Sequence, residues 1–298
     1  MANRAAIDCG SNTTRLLIVD DQDKVLAREL AYTRLGKGVD SFGALDAGSL
    51  DACEEALRDF SKLLLEHNVE KLGVFATSAV RDASNADDFV KQVEHILKVS
   101  PRILSGEDEA RLTYLGATAN LPDGDYALID IGGGSTEFAW RTNESNSPVF
   151  SSIDVGAVRM TERCMRSDPP TESELVEAQG QIAEAFGPVV RPSGKPTLIG
   201  VAGTVTTIAA LSLGLSEYDP DKVHGSTLSR ADVFKWTETL VEETAQQRMA
   251  RGVPEGRAGV IAAGAMILDL AFEVFGFDQV LVSERDNLDG QVALLKNL

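Results

Sequence analysis

Two copies of one short loop pattern, 122 residues apart, constrain this chain more than any other feature. The first reads Asp8-Cys9-Gly10-Ser11-Asn12-Thr13-Thr14-Arg15, and the second Asp130-Ile131-Gly132-Gly133-Gly134-Ser135-Thr136-Glu137. Each follows a short apolar run (Ala5 to Ile7, Ala127 to Ile129) and precedes another apolar stretch. That is strand, tight turn, strand. Small residues let such a turn approach a ligand closely, and its N–H groups form a concavity suited to phosphate oxygens. The leading Asp then stands at a strand end beside the anion, where a divalent cation can bridge them. One Asp-x-Gly turn is ordinarily structural. Two in matching register imply two similar domains clamping one polyphosphate-like group.

The surrounding pattern is duplicated as well. The chain opens as a three-stranded meander, Ala5 to Cys9, Thr14 to Asp20 and Val25 to Thr33. A helix is predicted over Ala47 to Asn68, with Leu50, Cys53, Leu57, Phe60 and Leu64 on one face. A strand near Leu72 to Ala76, a helix near Ala86 to Leu97, a short strand at Arg102 to Leu104 and a helix from Glu107 to Ala119 follow. Leu121-Pro122-Asp123-Gly124-Asp125 reads as a domain boundary, dividing the chain into 1–121 and 122–298. The pattern then restarts with strands at Tyr126 to Ile131, Thr136 to Arg141 and Val149 to Asp154, and a loop over Thr142 to Pro148. Beyond these come a helix near Glu172 to Phe186, a strand at Thr197 to Val201 and a helix from about Thr204. Helices over Arg230 to Thr244 and Glu255 to Phe275 precede a last strand, Gln279 to Val282. The final helix, about 288–298, is free to pack back on the first domain. The architecture expected is α/β, a β-β-β-α-β-α unit built twice.

Composition narrows the function classes. A hydrophobic fraction of 43% and a charged fraction of 25% are those of an ordinary soluble protein. The net charge of −18 argues against a surface that coats nucleic acid. Any phosphate site must therefore draw on local cations, and Arg15, Arg81, Arg111 and Arg159 lie in or beside the motifs. The longest uncharged helical run, Ala258 to Leu268, is too short to span a bilayer, so no membrane partner is expected. The first strand follows Met1 almost at once, and Cys9, Cys53 and Cys164 are too scattered for a disulfide framework or zinc site. The context expected is cytoplasmic. His67, His95 and His224 are likewise dispersed, and only His224, in a loop, is placed to approach a site.

A third segment, Val201-Ala202-Gly203-Thr204-Val205-Thr206-Thr207, comes straight after a strand and opens a helix. Gly203 is expected to make the turn and Thr204 to cap the helix, whose N-terminus attracts anions. With the two Asp-x-Gly loops it resembles the actin-like ATPase superfamily. One branch is matched closely, the exopolyphosphatase and guanosine pentaphosphate phosphohydrolase family. The residues that carry the resemblance are Ala6 to Asn12, Ala76-Thr77-Ser78-Ala79-Val80-Arg81, Ser105-Gly106-Glu107-Asp108-Glu109-Ala110-Arg111, Asp130 to Glu137 and Gly200 to Thr207, in the family's order.

The resemblance implies two actin-like (ribonuclease H-like) domains with a cleft between them, and a site whose parts can be named. Periodicity alone does not choose among Glu107, Asp108 and Glu109, which can equally complement a helix dipole. The resemblance assigns the catalytic base to Glu109. It implies metal-site carboxylates at Asp130 and Glu137, with Asp8 able to serve the same ion, and magnesium suits such hard oxygen ligands. Phosphate contacts are expected at Ser11, Asn12, Thr13, Gly133, Gly134 and Ser135, and further at Gly203 and Thr204. Arg81 falls where the family has a phosphate-binding arginine. Longer members carry a C-terminal helical domain of the His-Asp phosphohydrolase type. This chain ends at Leu298 without one, as a short-form member would. Cys9 stands where many relatives have a larger apolar residue.

The implied activity is hydrolysis of the terminal phosphoanhydride of inorganic polyphosphate. Guanosine pentaphosphate presents the same terminal anhydride and is the rival substrate. A non-hydrolysing polyphosphate or alarmone sensor, and a kinase or ATPase of the wider superfamily, are rivals of other classes. The acidic residues retained in the motifs oppose the first, and the short connections leave little room for an adenine-binding insertion. A homodimer is consistent with the family.

Overall fold

The N-terminal meander is built from β1 (Asn3–Cys9), β2 (Thr14–Val19) and β3 (Val25–Ala31). The computed structural model describes residues 2–296. β1 is buried on both faces, so its apolar run is continuous rather than alternating. Ala5, Ile7 and Cys9 enter one core layer while Ala6 enters the other, the period of two that a strand imposes. β4 (Val69–Ala76) and β5 (Arg102–Ile103) extend the sheet in parallel with β1, giving the order β3-β2-β1-β4-β5. Helix Ala47–Glu66 covers one face through Cys53, Ala56, Leu57 and Phe60, and Asp46 caps its start by accepting from Ser49 N at 3.1 Å.

The second sheet repeats this plan. It is formed by β6 (Tyr126–Ile131), β7 (Thr136–Thr142), β8 (Ser145–Ile153), β9 (Thr197–Val201), β10 (Thr227–Ser229) and β11 (Gln279–Val282). Read from its β8 edge the order is β8-β7-β6-β9-β11, the order of the first sheet, with β10 added outside. Helix Ile261–Phe275 lies almost wholly buried in its core, where the rings of Phe138 and Phe275 pack edge-on at 5.4 Å. The fold is the α/β, twice-built one expected. No helix among the described residues is long and apolar enough to cross a membrane.

The chain forms two compact units, one made of the residues up to Ala119 together with those from Arg285 onward, the other of Asn120–Glu284. In the first unit the C-terminal helix Asn287–Leu295 places Leu288 and Val292 against Ala6, Leu17 and Phe75. It approaches helix Gly106–Thr118 so closely that a Cβ on Gly290 would lie 2.1 Å from Leu112 O.

Two expectations fail locally. The loop expected over Thr142 to Pro148 is a hairpin with the two-residue turn Asn143-Glu144, and Thr142 pairs with Ser145. Its Ser, Asn and Pro content suggests a loop, but β8 is an edge strand, where a proline costs no ladder hydrogen bond. The helix expected over Glu255 to Phe275 is two, Glu255–Ala258 and Ile261–Phe275, parted at Gly259 and Val260. Helix Ala157–Cys164, packed through Ala157, Val158, Met160 and Cys164, has no counterpart in the expected elements.

Candidate functional site

Both Asp-x-Gly loops fold as the same turn. Gly10 N donates to Thr13 O at 3.0 Å, and Gly132 N donates to Ser135 O at 3.0 Å. Asp8 lies directly across the hairpin from Arg15, and Asp130 directly across from Glu137. Directly opposed residues share a sheet face, so each leading aspartate has its partner beside it.

The direction of the loop amides follows from the direction of the carbonyls. In a trans peptide the C=O and the next N–H point opposite ways. Ser11 O accepts from Gly36 N at 2.7 Å and Asn12 O from Arg34 N at 3.0 Å. The N–H groups of Asn12 and Thr13 therefore face away from the 34–36 segment. In the second loop Gly132 O accepts from Ala157 N at 2.9 Å and Gly133 O from Val158 N at 2.8 Å. Gly134 O accepts from Arg159 Nε at 2.7 Å. The amides of Gly133, Gly134 and Ser135 consequently turn away from helix Ala157–Cys164. Arg159, a candidate cation in the sequence, spends its Nε on holding the loop. The Ser11 hydroxyl is bonded to that of Ser78 at 2.9 Å.

Asp8 is 2% exposed, and burial raises its carboxyl above the ordinary aspartate value, with Arg15 opposing the rise. Its Oδ2 accepts from Arg15 and, at 3.2 Å, from Asn287 Nδ2. Arg15 also donates to Asp286 and, at 2.9 Å, to Asn287 Oδ1. The C-terminal helix thus delivers Asp286 and Asn287 to the first loop, a contact that nothing local in the sequence signals. Asp8 Oδ1 is buried with no hydrogen-bond partner among the described residues. In the second loop Glu137 is fully buried and its Oε1 accepts from Ser152 Oγ at 2.7 Å.

At the ends of β4 and β5 the chain supplies a guanidinium and a buried carboxylate. Thr77 N reaches Cys9 O at 3.4 Å, setting the short helix Ser78–Arg81 beside the first loop. Ser105 caps helix Gly106–Thr118 by accepting from Asp108 N at 3.1 Å. That cap decides what each acidic residue of the first turn faces. Glu107 and Asp108 are exposed, whereas Glu109 is 7% exposed. Arg81 Nη1 lies 3.6 Å from Glu109 Oε2 and donates to Leu104 O at 3.0 Å. Asp8, Arg81 and Glu109 therefore gather at the C-terminal ends of three parallel strands, where open α/β sheets bind ligands. Arg111 is exposed on the same helix.

After β9 the details differ from expectation. The left-handed residue is Ala202, at φ 64°, not Gly203, and Thr204 does not cap the helix Ala202–Ser212. Thr204 lies within the first turn, buried, with its hydroxyl where a Cβ on Gly264 would come. Gly203 makes room for a side chain instead: a Cβ there would sit 1.9 Å from the Arg257 guanidinium, which would have to move aside. Arg257 Nη1 donates to Gly203 O and to Thr207 Oγ1, both at 2.8 Å. A guanidinium laid on the positive end of a helix concentrates positive potential in an acidic chain. Arg257 is 54 residues from Gly203 in sequence, so no motif could have found it. His224 is exposed, its Nδ1 accepting from Glu284 N at 3.2 Å. Among the described residues no three His, Cys, Asp or Glu side chains cluster as a metal cage.

The chain matches the Ppx/GppA phosphatase family over residues 17–290, a span that includes Arg81, Glu109, the second loop and Gly203. Exopolyphosphatase 2 of Mycobacterium tuberculosis is 36% identical over 96% of both chains. A Ppx/GppA family member from Aquifex aeolicus superposes with a TM-score of 0.82 at 32% identity, covering 99% of this chain and 98% of that one. An exopolyphosphatase from Cytophaga hutchinsonii superposes with a TM-score of 0.89 at 26% identity, again over 99% and 98%.

Proposed function

The chain belongs to the Ppx/GppA phosphatase family, and we propose that it is a phosphoanhydride hydrolase releasing orthophosphate from the end of inorganic polyphosphate. The observation that carries this reading is the buried Glu109 carboxylate, 3.6 Å from the Arg81 guanidinium at the ends of the parallel strands. Terminal phosphoryl transfer to water needs an oriented nucleophile and neutralised equatorial oxygens. Glu109 orients the water and takes its proton as the new P–O bond forms. The anhydride bond breaks, and the leaving chain is one phosphate shorter. Arg81 grips two phosphate oxygens through its planar fork. Each loop offers amides for phosphate: Ser11, Asn12 and Thr13 in one unit, Gly133, Gly134 and Ser135 in the other. Gly203 and Thr204 offer a further helix start, reinforced by Arg257.

Magnesium fits the donor set. Asp8 Oδ1 is a buried oxygen with no hydrogen-bond partner among the described residues, and Asp130 faces Glu137 across a hairpin. Asp8 in its own unit, and Asp130 with Glu137 in theirs, are the proposed holders. A closed protein cage is not required, because magnesium keeps several waters and takes substrate phosphate as ligand. When bound it neutralises phosphate charge. Guanosine pentaphosphate ends in the same anhydride, and the same groups would act on it.

The deciding experiment is phosphate release from short polyphosphate, long polyphosphate and guanosine pentaphosphate, with and without magnesium. Release that stops on chelation and returns with magnesium supports the reading. Tight binding without release from any of the three would sink it and leave a sensor.

A further inference from the structure

We infer that Asp286 and Asn287, at the start of the C-terminal helix, are positioning residues for a divalent cation held by Asp8. The inference rests on the reading above that Asp8 holds magnesium, and it names the residues that aim its carboxylate. Neither residue lies in a motif that pointed to the site. Asn287 is 279 residues from Asp8 in sequence, and folding places both in the first unit.

Asp8 Oδ2 accepts two hydrogen bonds, one from Arg15 and one, at 3.2 Å, from Asn287 Nδ2. Arg15 donates onward to Asp286 and, at 2.9 Å, to Asn287 Oδ1. Asp286 is itself held, because its Oδ1 caps the helix by accepting from Leu288 N at 3.0 Å. Asp289 Oδ2 in turn accepts from Asp286 N at 3.1 Å and from Arg28 Nη2, on β3, at 2.7 Å. Both donors that reach Asp8 therefore go to the same oxygen. The other, Oδ1, is buried with no hydrogen-bond partner among the described residues. The network fixes how the carboxylate is turned and leaves the lone pairs of Oδ1 unused.

Charge points the same way. Arg28 is matched by Asp289, whereas the single guanidinium of Arg15 faces two carboxylates, Asp8 and Asp286. Three carboxylates against two guanidiniums leave one negative charge unbalanced. The Asp8 and Asp286 side chains are only 3% and 7% exposed, and burying an unbalanced charge is costly. A cation at Oδ1 removes that excess, and a hard oxygen donor suits magnesium or manganese. Asp286 thus supplies the charge that calls for the ion, and Asn287 helps to set the direction of the oxygen that meets it.

The test measures Mn2+ binding to the substrate-free full chain, by loss of the free-ion paramagnetic resonance signal. Wild type is compared with Asp8→Asn, Asp286→Asn and Asn287→Ala, and the thermal midpoint of each is taken without metal. Asp286→Asn keeps an oxygen for the cap and removes the charge. Asn287→Ala removes the donor to Asp8 and changes no charge. Each is expected to raise the Mn2+ dissociation constant roughly ten-fold or more, the scale set by groups that orient a metal-binding side chain. Asp8→Asn is expected to raise it at least as far. Wild-type affinity in both Asp286→Asn and Asn287→Ala, even with lowered midpoints, makes the two residues merely structural and overturns the inference while Asp8 remains a holder. Equal affinity in wild type and Asp8→Asn removes Asp8 as a holder and the inference with it, leaving the hydrolase reading to stand on phosphate release. Should Asp286→Asn fail to fold, Asn287→Ala decides alone.

Discussion

Arg81 Nη1 stands 3.6 Å from Glu109 Oε2, so the guanidinium proposed to grip phosphate also faces the carboxylate proposed to handle water. The two were separate motifs in the sequence, 28 residues apart. Their meeting makes the roles separable by substitution.

Glu109→Gln keeps the shape of the side chain and removes its charge. We expect kcat for phosphate release to fall by roughly 10²- to 10⁴-fold with the thermal midpoint little changed. Activity near wild type would remove the base assignment.

Arg81→Ala is expected to raise KM for polyphosphate, and to raise it more at low ionic strength, where the lost charge is least screened. Arg81→Lys should recover only part of the loss, because an ammonium lacks the two-pronged geometry. The check is a salt series of KM for the three proteins. Superimposable curves would show that Arg81 does not meet substrate.

Gly290→Ala forces a methyl group to within 2.1 Å of Leu112 O, a backbone atom that cannot rotate away. Overpacking of this kind costs about 1–3 kcal/mol or more, and the strain falls on the helix that brings Asp286 and Asn287 to Arg15. The thermal midpoint should drop by several degrees and phosphate release should fall with it. A full-length protein melting as wild type does would contradict the close helix contact.

Asp269 in helix Ile261–Phe275 has its carboxyl raised above the ordinary aspartate value, chiefly by burial, with Glu273 and Glu238 adding and Arg230 opposing. A raised folded pKa means that the protonated form favours the fold, and that stability is lost as pH rises through that folded value. Asp269→Asn should therefore melt higher than wild type at neutral pH, with the advantage shrinking towards acid, below the ordinary aspartate range. Melting curves collected across pH decide it, and a constant offset at every pH would count against the titration.

What was legible in the chain was what adjacent residues decide. The two loops announce themselves because a tight turn needs small residues at set places, and those places recur at Gly10 and Gly132. Where the expectation failed, composition misled about context. Asn143 to Pro148 look like a loop until β8 is seen to be an edge strand. Gly203 looks like the turn residue until Arg257 is seen to occupy the space a side chain would need.

The sequence by itself determined most of the strands (not β10 or the start of β8), the repeated turn, the order of the motifs and the family they resemble, because backbone preference and hydrophobic period act between near neighbours. Only the tertiary structure buried Glu109 while leaving Glu107 and Asp108 exposed, and joined Arg15 to Asp286. Burial and charge depend on what the rest of the chain brings alongside, and those partners are set by packing across tens to hundreds of residues rather than by spacing.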